Sequence, residues 1–355
     1  MKRILLVLCG GTICTAVTET QDGVYRSISD EAVSLLSANY YKSDSAFKND
    51  VKIETSENFR ILSENMTIDK WNSLIQYFCR ERKSFEKYDG IIVAHGTDTL
   101  AYSSSLFSLL LRNIGIPVFF VSSNEPLNSP TANGNINFQK AVECICLGIK
   151  PNIYAVYKNP SSGKVLLHLG SRLTQCRNYS EDFYSEGSID ITSLADGDTC
   201  SGLFEDAHVN DSVMIDLSNC PVLHNCVLKI DPYVGLDYHA FDYTRFKAVL
   251  HGTYHSGTAC TEQTQEAPGY GTQSFLHLID ACSGRTDVFL SPAKKTGEIY
   301  DSVGLIANHN RGEVHFLYGC TNEMSYVKLL LAYALGVSDI DSFMSTEFNC
   351  EIVYS

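Results

Sequence analysis

Positive charge is scarce in this chain. It carries 27 Lys and Arg against 41 Asp and Glu, a formal net charge of -14. Affinity for a phosphate backbone runs on Lys and Arg, so this balance argues against nucleic acid as a partner. Long apolar runs are also missing. None reaches the roughly 18–20 residues that a membrane-spanning helix needs, so no membrane partner is expected. Met1-Lys2-Arg3 followed by ILLVL has the look of a secretory leader. The run breaks at Gly10-Gly11 with no small-residue cleavage site after it, and it reads instead as a first buried strand. The 13 cysteines include no CxxC pair, and the 10 histidines show no HExxH spacing. That leaves reduced core thiols in a cytoplasmic protein, with neither metal nor cofactor expected. The dinucleotide signature GxGxxG and the phosphate-loop signature GK[ST] are absent too. Nothing repeats and nothing is of low complexity.

What is present is an ordinary globular balance, 44% hydrophobic and 19% charged, in 355 residues. That length suits two domains or one large one. Short apolar runs recur: ILLVL (4–8), IIVA (91–94), VFFVS (118–122), IYAVY (153–157) and VLLHL (165–169). Amphipathic stretches alternate with them. Ile68, Trp71, Leu74, Ile75 and Phe78 fall at helical spacing, and 100–112 and 135–148 behave alike. Such alternation predicts an α/β fold with a parallel sheet, whose ligands lie beyond the carboxyl ends of the strands. From Asp182 to Asn210 the pattern loosens into Ser, Asp, Gly and Glu. VMIDL (213–217), CVLKI (226–230), AVLHG (248–252) and VFLS (288–291) then restart it, and Met324, Val327, Leu331 and Ala334 mark a late helix. The expected organisation is a larger N-terminal domain over 1–195, a linker over 196–211 and a smaller α/β domain over 212–355.

Three stretches offer chemistry. LCGGTIC (8–14) ends a strand in Gly10-Gly11-Thr12, where glycines permit close approach of a ligand; a plain strand-to-loop turn reads equally well. HGTDT (95–99) places Asp98 beside Thr97. A threonine hydroxyl is a poor nucleophile until a neighbour takes its proton, and Asp98 can hold such a relay. The same residues also suit a helix start, with Thr97 or Thr99 as cap and Asp98 at the positive end; Thr99 is the residue expected to cap the helix that Leu100 begins. ILSENMT (61–67) sets Ser63 and Glu64 before another helix, where local capping is the default.

GGTI near the N-terminus with HGTDT about 85 residues on resembles the bacterial asparaginase/glutaminase family, the two-threonine amidohydrolases of the cytoplasmic type. An SxxM element between them and Ser122-Ser123-Asn124 after the next strand fit the same pattern. The resemblance covers nearly the whole chain, more loosely after about residue 180. It implies an asparaginase-like fold and hydrolysis of the side-chain amide of asparagine, or of glutamine, through a threonine acyl-enzyme. By that resemblance Thr12 is the nucleophile and Tyr25, in a lid after it, helps activate the hydroxyl. Thr97 and Asp98 form the second relay. Ser63 and Glu64 hold the amino-acid substrate, and Gly11 and Gly96 belong to the binding surface. A homo-oligomer, dimer or tetramer, is implied, with Ser256, Glu298 and Lys294 or Lys295 as the segments that would reach a neighbouring site. One departure stands out. The family carries a lysine that lowers the pKa of the relay groups; in GSRLTQCRNYSED (170–182), with Arg177 as the anchor, its position falls on Glu181. Arg172, Arg177 or Lys158 are possible replacements. Two alternatives follow: a relative of the glutaminase subunit of a tRNA-dependent amidotransferase, or an amino-acid-binding relative with weakened catalysis.

Overall fold

Strand β1 (Lys2–Gly10) is the spine of the first unit. Its apolar run from Ile4 to Cys9 is almost wholly excluded from solvent, as a strand flanked on both sides must be. In this computed structural model the described residues are all except 21–22, 195–199, 201–202, 204–214, 216, 264–269, 295–299, 310–313 and 355, with the side chains of 17–20, 23–27, 30–33 and 57–58 also left aside. The chain divides between Cys220 and Pro221 into two compact units. Most of the linker expected at 196–211 falls outside the described residues.

After β1 come a hairpin of β2 (Thr15–Thr20) and β3 (Gly23–Ile28), helix α1 (Asp30–Lys42) and strand β4 (Val51–Ile61). Then follow α2 (Ile68–Glu81), β5 (Gly90–Ala94), α3 (Leu100–Leu110), β6 (Val118–Val121), α4 (Gly134–Cys146), β7 (Ile153–Lys158) and β8 (Val165–Leu169). Three two-residue strands close the run: β9 (Leu173–Thr174), β10 (Tyr184–Ser185) and β11 (Ile189–Asp190). The main sheet has the order β11-β8-β7-β6-β5-β1-β4. It is parallel from β4 to β7, and β8 and β11 pair antiparallel at one side. The pairing of β4 with β1 slips twice, between Leu6 and Leu8 and between Leu8 and Gly10.

Strand order reverses at β1: the chain steps out to β4, then returns to β5 on the other side. Crevices in open parallel sheets form at such reversals. Register lines up Leu8 with Ala94 and Ala94 with Val121. The loops that follow these residues are therefore neighbours. Helix α2 turns its apolar stripe inward, with Trp71, Leu74, Ile75 and Phe78 buried, and the Trp71 indole N–H donates to Ser103 Oγ on α3 at 3.0 Å.

The first expectation to change is the loose stretch after Asp182. β10 and β11 lie within it, and Phe183, just before β10, is buried. Where the lid is expected, between residues 15 and 24, β2 (Thr15–Thr20) pairs antiparallel with β3 (Gly23–Ile28). In 213–217, Val213, Met214 and Asp216 lie outside the described residues, and Leu217 opens a short 3-10 turn (Leu217–Asn219) instead of closing a strand.

The second unit has a four-stranded parallel sheet of β12 (Val227–Ile230), β13 (Ala248–His251), β14 (Asp287–Ala293) and β15 (Val314–Tyr318). Helices α5 (Phe275–Cys282), α6 (Asp301–His309), α7 (Asn322–Ala334) and α8 (Ile340–Ser345) complete it. The Lys328–Glu351 ion pair, 2.8 Å long and wholly buried, ties α7 to the tail beyond α8. Among the described residues no helix is long and apolar enough to cross a membrane.

Candidate active site

Two glycines bring the loops after β1 and β5 into contact. Gly11 adopts φ 74, a left-handed conformation that a side chain disfavours. A Cβ on it would fall 2.1 Å from Gly96 Cα. A Cβ on Gly96 would fall 2.3 Å from Ser63 Oγ and 3.0 Å from Gly11 Cα. Only hydrogens fit between these three chain segments. Gly11 N–H also donates to the Ile61 carbonyl at 2.9 Å, which carries β1 onto the end of β4. Thr12 and Thr97 each stand one Cα step of about 3.8 Å beyond a touching glycine. Both are half-buried.

Ser63 connects the third loop. It is buried and opens a 3-10 turn after β4. Its hydroxyl donates to Asp98 Oδ2 at 2.8 Å, and its oxygen lies 3.3 Å from Asp98 N. Thr99 corrects an expectation. It sits at the N-cap of α3, but its hydroxyl makes no capping bond. The hydroxyl instead donates to the Ser63 carbonyl at 3.2 Å, binding one loop to the other. Glu64 is exposed on the same turn as Ser63. Tyr25 stands opposite Thr18 in the β2–β3 hairpin; its side chain lies outside the described residues. Thr12 holds its local turn through its carbonyl, which accepts from Thr15 Oγ1 at 2.9 Å.

His95 is buried. Its Nδ1–H donates to the Gly96 carbonyl at 2.8 Å, and Nε2 has no hydrogen-bond partner among the described residues. Burial lowers its pKa to about 4, against the opposing pull of the Gly96 carbonyl and Asp98. The imidazole is neutral and fixes the loop ahead of Thr97 without adding charge.

A cavity of about 280 Å³ opens beside Thr97 and Asp98. Asn124, after β6, and Tyr157, on β7, line one part; Gln175, Cys176, Ser180 and Glu181 line another. Gln175 is a residue that sequence reasoning misses. Its Nε2 donates to the Asp98 carbonyl, and its Oε1 accepts from Ala101 N at 3.2 Å, so it clamps the turn into α3. Nothing local marks this residue, since the partners stand 77 residues apart in sequence. Asn124 Nδ2 donates to Glu181 Oε2 at 3.2 Å. Glu181 therefore does face the cavity, and among the described lining residues there is no Lys or Arg. Of the expected substitutes, Arg172 is buried under Gly187, with its Nη1 3.5 Å from where a Cβ there would stand. The Cys176 thiol, pushed up to about 12 by burial first, also feels Asp182, Glu181 and Asp98, which marks this wall as acidic.

Of the segments expected to reach another subunit, Glu298 and Lys295 lie outside the described residues. Ser256 Oγ is 3.0 Å from Thr258 Oγ1, and the Lys294 stem runs beside Gly257.

The profile of the family Asparaginase, N-terminal, matches residues 3–197. An L-asparaginase of Thermococcus kodakarensis is 31% identical over 193 residues, covering 52% of this chain and 54% of that protein. A glutamyl-tRNA(Gln) amidotransferase subunit of Thermoplasma volcanium is 26% identical over 211 residues, 58% of this chain and 47% of that protein. The chain thus matches about half the length of these relatives. The solved structure of the thermostable L-asparaginase from Thermococcus kodakarensis has the same fold, with a TM-score of 0.70 at 22% identity over 99% of this chain and 100% of the other.

Proposed function

The chain belongs to the asparaginase family, and from that premise we propose that it hydrolyses the side-chain amide of asparagine, with glutamine as a lesser substrate. Thr12 Oγ attacks the carboxamide carbon. Its proton passes through the site's relay to the leaving nitrogen, ammonia departs, and an ester to Thr12 remains. Water then attacks that ester, which releases aspartate and restores the hydroxyl. Backbone N–H groups near Thr12 stabilise the oxyanion of both steps. Thr97 and Asp98 serve as the second relay, and Tyr25 assists the hydroxyl of Thr12. Asp98 receives the substrate's ammonium, for which a carboxylate is suited. Ser63 holds one oxygen of Asp98 and so sets the direction of the other; Glu64 extends the polar surface on the substrate side.

The observation that carries this reading is the packing of Gly11 against Gly96, which puts the two threonine-bearing loops side by side. The test is ammonia release from asparagine and from glutamine by the full chain, Thr12→Ala and Thr97→Ala. Loss of release in both variants is expected. Undiminished release in both would overturn it.

Glu181 favours a second reading. With Asp98 and Glu181 on one cavity and no cation in its described lining, no positive charge there supports the nucleophile. The protein would then bind asparagine while turning it over slowly. Calorimetric binding without ammonia release would identify that case. Copurification with a second protein or with tRNA would instead identify an amidotransferase role. We place the protein in the cytoplasm, consistent with thirteen free cysteines, and as a homo-oligomer in which Ser256 and Lys294 approach a neighbouring site.

A further inference from the structure

Away from this cavity, a second one of about 600 Å³ lies between α2 and the turn that ends the first unit. Gln76, Cys79, Arg82 and Lys83 line it from the helix side, and Ser218 and Cys220 from the turn. The turn is anchored by Leu217, which is buried. Cys79 and Cys220 face the same cavity, and the Cys220 sulfur is near enough to help raise the pKa of Cys79. Both are half-buried, so a small molecule can reach them. Arg80 also borders the space, but its guanidinium is engaged by Glu81 at 2.9 Å. Arg82 and Lys83 supply the cationic character beside the sulfurs. Cations beside a cavity attract anionic reagents.

We propose that Cys79 and Cys220 form a redox modification site that takes an anionic low-molecular-weight peptide disulfide, of the glutathione class, and is oxidised by it to an intrachain disulfide. The Cys79 thiol is pushed up to about 12, first by burial and then by Cys220, against the opposing charge of Arg82. With that proton held, Cys220 is the attacking sulfur. It displaces one thiolate from the reagent and forms a mixed disulfide. The Cys220 thiol that helped raise the Cys79 pKa is then gone. Cys79 loses its proton, attacks the Cys220 sulfur and expels the second thiolate. The two protein thiols are oxidised, one reagent disulfide is reduced, and the two thiol protons leave on the two product thiols. The new bond ties the last residue of the first unit to α2.

A second thiol pair, Cys144 and Cys200, also lies close enough for Cys200 to raise the pKa of Cys144. Cys144 is buried, whereas Cys79 and Cys220 are both half-buried. It is the internal comparison.

The test incubates the full chain with glutathione disulfide, or with the neutral 2-hydroxyethyl disulfide, and maps unreduced peptides by mass spectrometry. A Cys79–Cys220 cross-linked peptide is expected, formed about fivefold faster with the anionic reagent at low ionic strength, since such steering is electrostatic. Arg82→Gln with Lys83→Gln should remove that preference and leave the cross-link. Cys220→Ser should leave Cys79 unmodified. Exposed Cys260 reports that the reagent is active. Glutathionylation of Cys260 with Cys79 and Cys220 both still free would overturn the site. Equal rates for the two reagents would overturn its ligand class.

Discussion

Replacing Lys328 by Met tests how the second unit holds its C-terminal tail. The ammonium of Lys328 lies 2.8 Å from Glu351 Oε1, with neither side chain exposed. It also donates to the Thr346 carbonyl and sits 4.8 Å from the centre of the Phe348 ring. Glu351 in turn accepts from Phe348 N at 2.8 Å and from Asn349 N at 2.6 Å. Methionine has nearly the volume of lysine, so packing changes little. The carboxylate, however, loses its only cation within hydrogen-bond distance among the described residues. Removing one partner of a buried pair costs about 3–5 kcal/mol, because the remaining charge stays desolvated. Adding Glu351→Gln removes that charge and keeps an oxygen for the two backbone donors. The double variant should therefore recover to a loss of about 1–2 kcal/mol, the worth of one or two neutral hydrogen bonds. Urea unfolding followed by far-UV circular dichroism measures both. Fluorescence is the wrong probe, since the sole tryptophan, Trp71, belongs to the other unit. A loss under about 1 kcal/mol in Lys328→Met would refute the reasoning from desolvation. A double variant no better than the single would do the same.

Three further outcomes are expected. Gly11→Ala should lose about 2–4 kcal/mol in thermal unfolding and abolish ammonia release, since its Cβ meets Gly96 and φ is left-handed; a folded, active variant contradicts this. Glu181→Lys should raise kcat on asparagine about tenfold, the effect of roughly one pKa unit on the relay groups; steady-state ammonia assays decide it. Burial lowers the pKa of His95 and His251 to about 4 and of His168 to about 3. The unfolded chain takes up these protons from about pH 6.5, the folded chain only far below. Stability is therefore full above that value and falls as pH drops toward 4, by up to about 1.4 kcal/mol per pH unit for each histidine. Urea titrations at about pH 7, 6 and 5 should show the slope, and His168→Gln should lessen it by close to one proton.

The elements visible in the sequence are those whose own residues declare a face. β1, β5, β6 and β7 are unbroken apolar runs because both sides of the strand are covered. α2 declares itself through one apolar stripe. β4 escapes such a reading because Lys52, Glu54 and Ser56 interrupt it, as suits a strand at the side of a sheet. The β2–β3 hairpin reads as a loop because its threonines and charges carry no apolar run. In the site, Thr12, Ser63, Thr97 and Asp98 are legible because each follows a strand end. Gln175 and the orientation of Glu181 are not, because their partners are brought in by the fold across long stretches of chain.

The two slips where β4 joins β1 have a consequence at the outer margin of the large sheet. A straight strand there would offer an uninterrupted ladder of donors and acceptors to any passing extended segment. Irregular spacing, the left-handed Arg60 near its end (φ 53) and the charges of Lys52 and Glu54 spoil that template. The same departure from regularity that brings Ile61 onto Gly11 thus also guards the molecule against growing by strand addition on that side.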